Sequence, residues 1–164
     1  MHPENKSHIE QFLALKSIAI AGISRSGKPG NAIFKKFVTA GFDVVGIHPQ
    51  LTEFEGRPCF PSVTQVPGAV EGLFLITNPA VTLELTQQAI AKDVRFIWMH
   101  NMTGIHPAWG ESFTKGNTSV SEEAVDLAKE AGITVIPGSC PMQHIQPVDI
   151  FHRCIHWVNE RKGA

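Results

Sequence analysis

Five short apolar segments alternate along the chain with segments of helical periodicity, and this alternation limits the fold more than any other feature. The segments are SIAIAGI at 17–23, DVVGI at 43–47, GLFLIT at 72–77, VRFIWMH at 94–100 and ITVIP at 133–137. Each is apolar along most of its length, which is typical of parallel strands that are covered on both faces. We therefore predict an α/β fold with a doubly wound, mostly parallel, five-stranded sheet of Rossmann-like type.

Helices are predicted between these strands from apolar spacing and from capping residues. Asn78 followed by Pro79 is a favourable helix start. Ser119 or Ser121 begins a later helix, and Glu122 can complete a capping box with Ser119. The predicted helices cover residues 4–15, 31–41, 79–92, the segment that ends at Gly132, and 147–160, whereas residues 49–67 and 101–118 are predicted to be mostly loop.

Length, charge and cysteine content narrow the class of protein. The 164 residues fit one domain, 1–164, with a core over residues 15–145 and the last helix after it. The 14 basic and 15 acidic side chains nearly cancel, so the charge signature of nucleic-acid binding is absent. No apolar run is long enough to span a membrane. Three scattered cysteines do not form a disulfide framework, so we expect a cytoplasmic protein.

The loop after the first strand carries the strongest functional signal. In parallel sheets of this type, ligands bind at the carboxyl ends of the strands. The first strand ends in GISRSGKPGN, residues 22–31, in which glycines permit a close backbone approach and Arg25 and Lys28 add positive charge. Backbone N–H groups at the start of the following helix attract phosphate. We therefore predict that this loop binds a phosphate-bearing ligand.

Two common nucleotide motifs fit this loop poorly. Gly22, Gly27 and Lys28 match the spacing of the NTPase phosphate loop, but Pro29 replaces the hydroxyl residue that binds magnesium. The dinucleotide fingerprint requires closer glycines and an acidic residue after the second strand, where this chain has His48 instead. Neither NTPase activity nor an ordinary NAD site is therefore expected.

A third variant of the fold matches better. The chain resembles the small, single-domain CoA-binding proteins of bacteria and archaea, which are similar to the CoA-binding domains of the succinyl-CoA synthetase alpha subunit and of ADP-forming acyl-CoA synthetases. The resemblance covers roughly residues 15–145. It rests on IAIAGISRSGKPGNAIFKKF, VVGIHP, EFEGRPCFPSV, LFLITNPA and SEEAVDLAKEAGITVIPGSCPM, in that order.

The resemblance implies a ligand, CoA or an acyl-CoA, and a path for it. The first loop would hold the phosphates, the turns after the second and third strands would border the nucleotide and pantetheine, and the loops after the fourth and fifth strands would close the far side. The implied binding residues are Gly22, Ser24, Arg25, Ser26, Lys28, Asn31, His48, Pro49, Thr77, Asn78, Pro79, Asn101, Gly104, Gly138 and Cys140. His48 and the long segment 105–118 depart from the family pattern.

The resemblance implies that this chain binds the ligand, but it does not imply that the chain catalyses the ligase reaction. The synthetases use a phosphorylated histidine and a grasp-type domain, for which 164 residues leave no room. We therefore expect binding without turnover by the chain alone, in a carrier, sensor or regulatory role. An enzyme that uses acyl-CoA or NAD(P), with Cys140 as a candidate nucleophile, is the first alternative. The protein partner is not indicated, although three tryptophans and few charges leave room for a homodimer.

Cysteines and histidines near the end of the chain suggest a second alternative, a metal-stabilised interaction protein. Five residues offer ligand atoms: Cys140, His144, His152, Cys154 and His156. Their spacing matches no established zinc pattern, so no metal ligand is predicted. The simpler interpretation is an amphipathic last helix with Phe151, Ile155 and Val158 turned inward.

Overall fold

The computed structural model describes residues 3–27, 29–102 and 118–161, and it has five helices and seven strands in these ranges. The helices are α1 (Pro3–Leu13), α2 (Pro29–Thr39), α3 (Pro79–Ala91), α4 (Glu122–Glu130) and α5 (Ile150–Arg161). The strands are β1 (Ser17–Ala21), β2 (Asp43–Ile47), β3 (Glu53–Phe54), β4 (Arg57–Phe60), β5 (Gly72–Leu75), β6 (Phe96–Met99) and β7 (Thr134–Pro137). Short 3₁₀ turns lie at Val63–Gln65 and Pro141–Gln143.

The strands form one sheet in the order β3-β4-β2-β1-β5-β6-β7, and every pair except β3 with β4 is parallel. The central strand β1 pairs with β2 on one side and with β5 on the other, so that Ala19 lies between Val45 and Leu73. The predicted α/β, doubly wound, Rossmann-like class is confirmed. No helix in the described ranges is long and apolar enough to cross a membrane.

The predicted number of strands was wrong, because the sheet has seven strands instead of five. The two additional strands, β3 and β4, lie inside the segment 49–67 that we predicted as mostly loop. Glu55 and Gly56 join them with φ angles of 51° and 70°, which is the pattern of a two-residue type I′ hairpin. This turn usually contains Asn-Gly or Asp-Gly, and Glu at its first position concealed the hairpin.

The apolar faces of the sheet are covered by different helices. Phe12 of α1 and Phe34 and Phe37 of α2 pack on one face, where Trp98 of β6 is fully buried. Leu85 of α3 and residues of α4 such as Ala124 cover the other face. This layering puts α2 and α3 on opposite faces, with their first residues at the carboxyl edge of the sheet.

The last helix differs from its prediction in position and orientation. It begins at Ile150 instead of residue 147. Phe151 is 60% exposed and so does not face inward as predicted, whereas Ile155 and Val158 are half-buried. Because the inward residues His152 and His156 are polar, this helix is attached by few apolar contacts.

Candidate functional site

The chain reverses its direction of travel across the sheet at β1, and we call the carboxyl edge of β1 and β5, between the starts of α2 and α3, the crevice. From β1 the chain proceeds to β2 on one side, and it later returns to place β5 on the other side of β1. The backbone N–H of Ile76 donates to the carbonyl of Ala21 at 3.0 Å, so the two strands remain paired up to their carboxyl ends. Helices α2 and α3 then diverge to opposite faces. Such a switch point is the general ligand site of doubly wound sheets.

The floor of the crevice has no room for side chains. A Cβ atom on Gly22 would approach the Ile76 carbonyl oxygen to 2.2 Å, and one on Gly30 would approach the Gly22 carbonyl oxygen to 2.3 Å. Gly22 also has a φ of 106°, which favours glycine. Since glycine occupies both positions, the first turn of α2 packs directly on the backbone of β1 and β5. Its N-terminus therefore lies at the crevice, where the helix dipole favours an anion.

The loop between β1 and α2 is organised by its own hydrogen bonds. The Ser24 N–H donates to Asn31 Oδ1 at 2.8 Å, and Asn31 Nδ2 donates back to the Ser24 carbonyl at 2.7 Å. The Ser26 N–H donates to Ser24 Oγ at 3.1 Å. Arg25, Ser26 and Gly27 are exposed between these anchors. Lys28, which we also predicted as a binding residue, lies outside the described residues.

The turn after β2 is tied to the same loop. Arg25 Nη2 donates to Gln50 Oε1 at 2.7 Å. His48 Nδ1 accepts the N–H groups of both Gln50 and Leu51 at 3.1 Å, which leaves the ring proton on Nε2. Burial first, and Arg25 second, lower the pKa of His48. His48 is therefore a neutral N–H donor at this position, and the positive charge comes from Arg25.

Sequence reasoning missed Gln50, whose side chain holds Arg25 in place. The signal was weak because Gln50 is an ordinary polar residue in a turn. Its position three residues after a strand end was the only indication. Pro49, which we predicted as a contact, is exposed beside it.

The start of α3 forms the opposite wall of the crevice. Asn78 caps this helix as predicted, because its side-chain oxygen accepts the Val81 N–H at 3.0 Å, and Pro79 occupies the first turn. Thr77 Oγ1 is hydrogen-bonded to Thr82 Oγ1 at 2.9 Å. Asn78 and Pro79 are exposed, and Thr77 is half-buried. All three lie directly after β5, across the switch point from Ser24.

The predicted residues of the far side are much more buried. Asn101 and Cys140 are 7% and 2% exposed, and the Gly138 carbonyl accepts a hydrogen bond from Trp98 Nε1 at 2.8 Å. Burial raises the pKa of the Cys140 thiol to about 12, so this cysteine is protonated at neutral pH. Gly104 lies outside the described residues. The predicted residues that follow β1, β2 and β5 are thus exposed or half-buried, whereas the described ones that follow β6 and β7 are buried.

One histidine of α5, His156, packs its ring against that of His144 at a centroid distance of 5.4 Å, and sequence reasoning did not predict this contact. His100 follows β6 and His144 follows the turn after β7; burial lowers the pKa of each to about 4, with His152 adding to the effect at His100 and His156 at His144. Ser139 Oγ lies 2.8 Å from His144 Nε2. Over the ranges that the structure describes, no three His, Cys, Asp or Glu side chains are grouped so that they could hold a metal ion.

Comparison with known proteins identifies the family of this chain. Residues 16–146 match the model of a protein family described as the CoA binding domain. The chain belongs to this CoA-binding family. The match includes all seven strands and the helices α2, α3 and α4, whereas α1 lies before it and α5 after it.

Similar proteins include both large ligases and small chains. The chain is 25% identical over 133 residues to the ADP-forming acetate–CoA ligase I of Archaeoglobus fulgidus; the match covers 80% of this chain but only 18% of the ligase. A solved acetyl-coenzyme A synthetase 1 of Ca. Korarchaeum cryptofilum, in complex with phosphate and ADP, is 25% identical with a TM-score of 0.61, over 77% of this chain and 26% of the synthetase. A hypothetical protein from Pyrococcus horikoshii is 28% identical with a TM-score of 0.70, over 88% of this chain and 91% of that protein.

Proposed function

We propose that this CoA-binding domain binds CoA or an acyl-CoA along the carboxyl edge of its sheet, with the phosphates at the loop between β1 and α2. The observation that carries the proposal is the close packing of Gly30 on Gly22, which brings the N-terminus of α2 to the crevice. The family match supports the ligand class. CoA carries a pyrophosphate and a 3′-phosphate, which suit a helix N-terminus preceded by the Arg25 side chain, and the sequence of the same loop adds the positive charge of Lys28.

The rest of the proposed ligand path is assigned from the exposure of the side chains that follow the strands. His48 offers a neutral N–H donor that suits a phosphate or ribose oxygen, and Thr77 to Pro79 border the path from the other wall. Asn101, Gly138 and Cys140 would contact the thiol end only where the ligand reaches the buried side of the edge. We propose these residues, with Gly104 from outside the described ranges, as the far boundary.

We further propose that the chain binds its ligand without converting it, in a carrier, sensor or regulatory role. A catalytic cysteine must be a thiolate to attack a thioester. The buried Cys140 thiol, with its pKa raised to about 12, opposes that chemistry. The chain spans only 18% of the long relative that is named as a ligase.

Ligand-dependent thermal stability tests the proposal. Ligand that binds only the native state should stabilise it by about 2.7 kcal/mol at a hundred times its Kd. We expect CoA to raise the melting temperature, dephospho-CoA to raise it less, and NAD to leave it unchanged because no carboxylate follows β2 to bind the ribose. A shift with NAD and none with CoA would refute the assignment.

A further inference from the structure

Two threonines are hydrogen-bonded to each other at the wall of the crevice that the start of α3 provides. Thr77 Oγ1 lies 2.9 Å from Thr82 Oγ1, and Thr82 is fully buried whereas Thr77 is half-buried. Asn78 is the N-cap of α3, so Thr77 precedes the cap and Thr82 is the fourth residue of the helix. Apolar residues often pack against each other at these two positions and fix the angle at which the chain enters the helix. Here a pair of hydroxyl groups takes their place.

Burial decides which of the two hydroxyl groups donates the hydrogen bond. A hydroxyl has one proton, and a buried proton without an acceptor costs free energy. Among the described residues, Thr77 Oγ1 is the one hydrogen-bond partner of Thr82 Oγ1. Thr82 therefore donates to Thr77, and the proton of Thr77 remains for an acceptor on the exposed side of the pair.

Thr86, one turn later on the same buried face of α3, shows how a buried threonine is satisfied without such a pair. It is also fully buried, and its Oγ1 donates to the Thr82 carbonyl at 2.8 Å. This bond stays within the helix and involves no other element. The Thr82 hydroxyl instead reaches the residue before the N-cap. The pair therefore does more than bury a threonine, because it orients a group at the crevice.

Thr77 begins where β5 touches the first turn of α2. A Cβ atom on Gly22 would lie 2.2 Å from the carbonyl oxygen of Ile76, and one on Gly30 would lie 3.0 Å from Ile76 Cγ2. Thr77 is the next residue of the chain. Its hydroxyl group is therefore close to the N-terminus of α2, where the proposed function puts the phosphates of the ligand.

The N-terminus of α3 itself offers few donors to such a ligand. Pro79 has no N–H, and the Val81 N–H is accepted by Asn78 Oδ1 at 3.0 Å. Side-chain donors therefore matter more at this wall, and the Thr77 hydroxyl is one whose direction is fixed by a buried neighbour. A hydrogen bond from a hydroxyl to an ionised oxygen is about twice as strong as one between neutral groups.

We propose that Thr77 donates a hydrogen bond to a diphosphate oxygen of CoA, and that the buried Thr82 is the positioning residue that orients this donor. The inference rests on the proposed function and adds to it a residue, Thr82, that does not itself contact the ligand. The wall formed by α3 thus binds the same phosphate groups as the N-terminus of α2, from the other side of the crevice.

Calorimetric titration with CoA tests the two roles. Thr77→Val should raise the Kd about tenfold or more, since it removes a hydrogen bond to a charged group, and Thr77→Ser should restore most of the affinity. Thr82→Val should raise the Kd about threefold, because Thr77 loses the partner that holds its rotamer, and Thr82→Ser should reverse this loss. Thr86→Val removes another buried hydroxyl of the same helix face. It is the matched control and should bind CoA like the unchanged protein.

The double variant Thr77→Val with Thr82→Val separates binding from folding. Two valines form the apolar pair that is usual at these positions, so the melting temperature without ligand should stay close to that of the unchanged protein. Its affinity for CoA should nevertheless fall as far as that of Thr77→Val. The phosphorus NMR spectrum of bound CoA identifies the acceptor. At saturation, the diphosphate signals should differ between the unchanged protein and Thr77→Val, whereas the 3′-phosphate signal should not.

The outcomes distinguish a failure of the inference from a failure of the proposed function. If the unchanged protein does not bind CoA, both are refuted. If it binds CoA and Thr77→Val binds CoA equally well, or if the diphosphate signals of the two proteins agree, Thr77 is not the donor and only the inference fails. If Thr82→Val binds CoA like Thr86→Val, the positioning role of Thr82 is refuted.

Discussion

Gly30 packs so closely on Gly22 that a methyl group at position 30 would lie 2.3 Å from the Gly22 carbonyl oxygen. The neighbouring atoms belong to the backbone of β1's carboxyl end, so they cannot rotate away. The contact fixes the distance between the first strand and the start of α2. The geometry of the proposed phosphate site therefore depends on the absence of a side chain.

The first prediction is that Gly30→Ala destabilises the protein by about 3 kcal/mol, as overpacking against backbone does. Helix propensity alone predicts the opposite sign, a gain of about 1 kcal/mol for Ala over Gly. Urea unfolding of the variant measures the difference. Gly27→Ala is the comparison, because its Cβ would meet nothing within 4 Å and only its φ of 71° opposes the change. A stabilised Gly30→Ala protein would contradict the packing.

The second prediction concerns Arg25. If its guanidinium binds a CoA phosphate, Arg25→Ala should raise the Kd for CoA by one to two powers of ten, since a charge-assisted hydrogen bond contributes roughly 1.5–3 kcal/mol. Calorimetric titration measures this change. Gln50→Ala should weaken CoA binding less, because Gln50 only holds Arg25 through the 2.7 Å hydrogen bond. Equal affinity of the Arg25→Ala and unchanged proteins would remove Arg25 from the site.

The third prediction is a loss of stability in acid. The pKa values of His100 and His144 are lowered from 6.5 to about 4 in the folded protein. Between these values the unfolded chain binds more protons than the folded one, so the free energy of unfolding is greatest above pH 6.5 and falls as the pH drops towards 4. Each histidine contributes a slope of at most about 1.4 kcal/mol per pH unit.

Denaturant unfolding at a series of pH values measures this slope. His144→Gln keeps a polar group beside Ser139 but removes one titrating ring. The free energy of unfolding of this variant should therefore change less with pH over the same range, by at most about 1.4 kcal/mol per pH unit. A constant free energy of unfolding across this range would show that neither ring is held neutral by the fold.

The fourth prediction concerns the reactivity of the three cysteine thiols. Cys154 is exposed and should react with iodoacetamide within minutes, whereas the buried Cys140, with its pKa raised to about 12, should react only after unfolding. Burial also raises the pKa of Cys59, which should behave in the same way. Peptide mass spectrometry identifies the labelled residue. Rapid labelling of Cys140 in the native protein would restore the enzymatic alternative.

The main elements of the fold were predictable because they depend on strong local signals. The five apolar strands and the Asn78–Pro79 helix start are all present. At the fourth helix, Ser121 and not Ser119 is the cap, since Ser121 Oγ accepts the Ala124 N–H at 3.3 Å. The hairpin of β3 and β4 was missed because strands of two and four residues containing Pro58 have no visible periodicity.

The site was predictable only in part. Glycines and charges after strand ends locate a ligand edge, because parallel strands end together. The contacts made there by individual side chains depend on packing between distant segments. His48 as a neutral donor, Gln50 as the support of Arg25, and the packing of the His144 ring on that of His156 are all contacts of this kind. The inward orientation that we predicted for Phe151 was wrong for the same reason, because apolar spacing does not say which face of a helix is covered.

The outermost strands of the sheet have a consequence for behaviour in crowded solution. An unpaired strand edge is a template for uncontrolled pairing with other chains, which leads to aggregation. Here one outer strand, β3, has two residues including Glu53, and the other, β7, ends in Pro137, which has no N–H to donate. Neither edge offers a long ladder of free hydrogen-bonding groups. The protein should therefore resist conversion to fibrils even in concentrated solution.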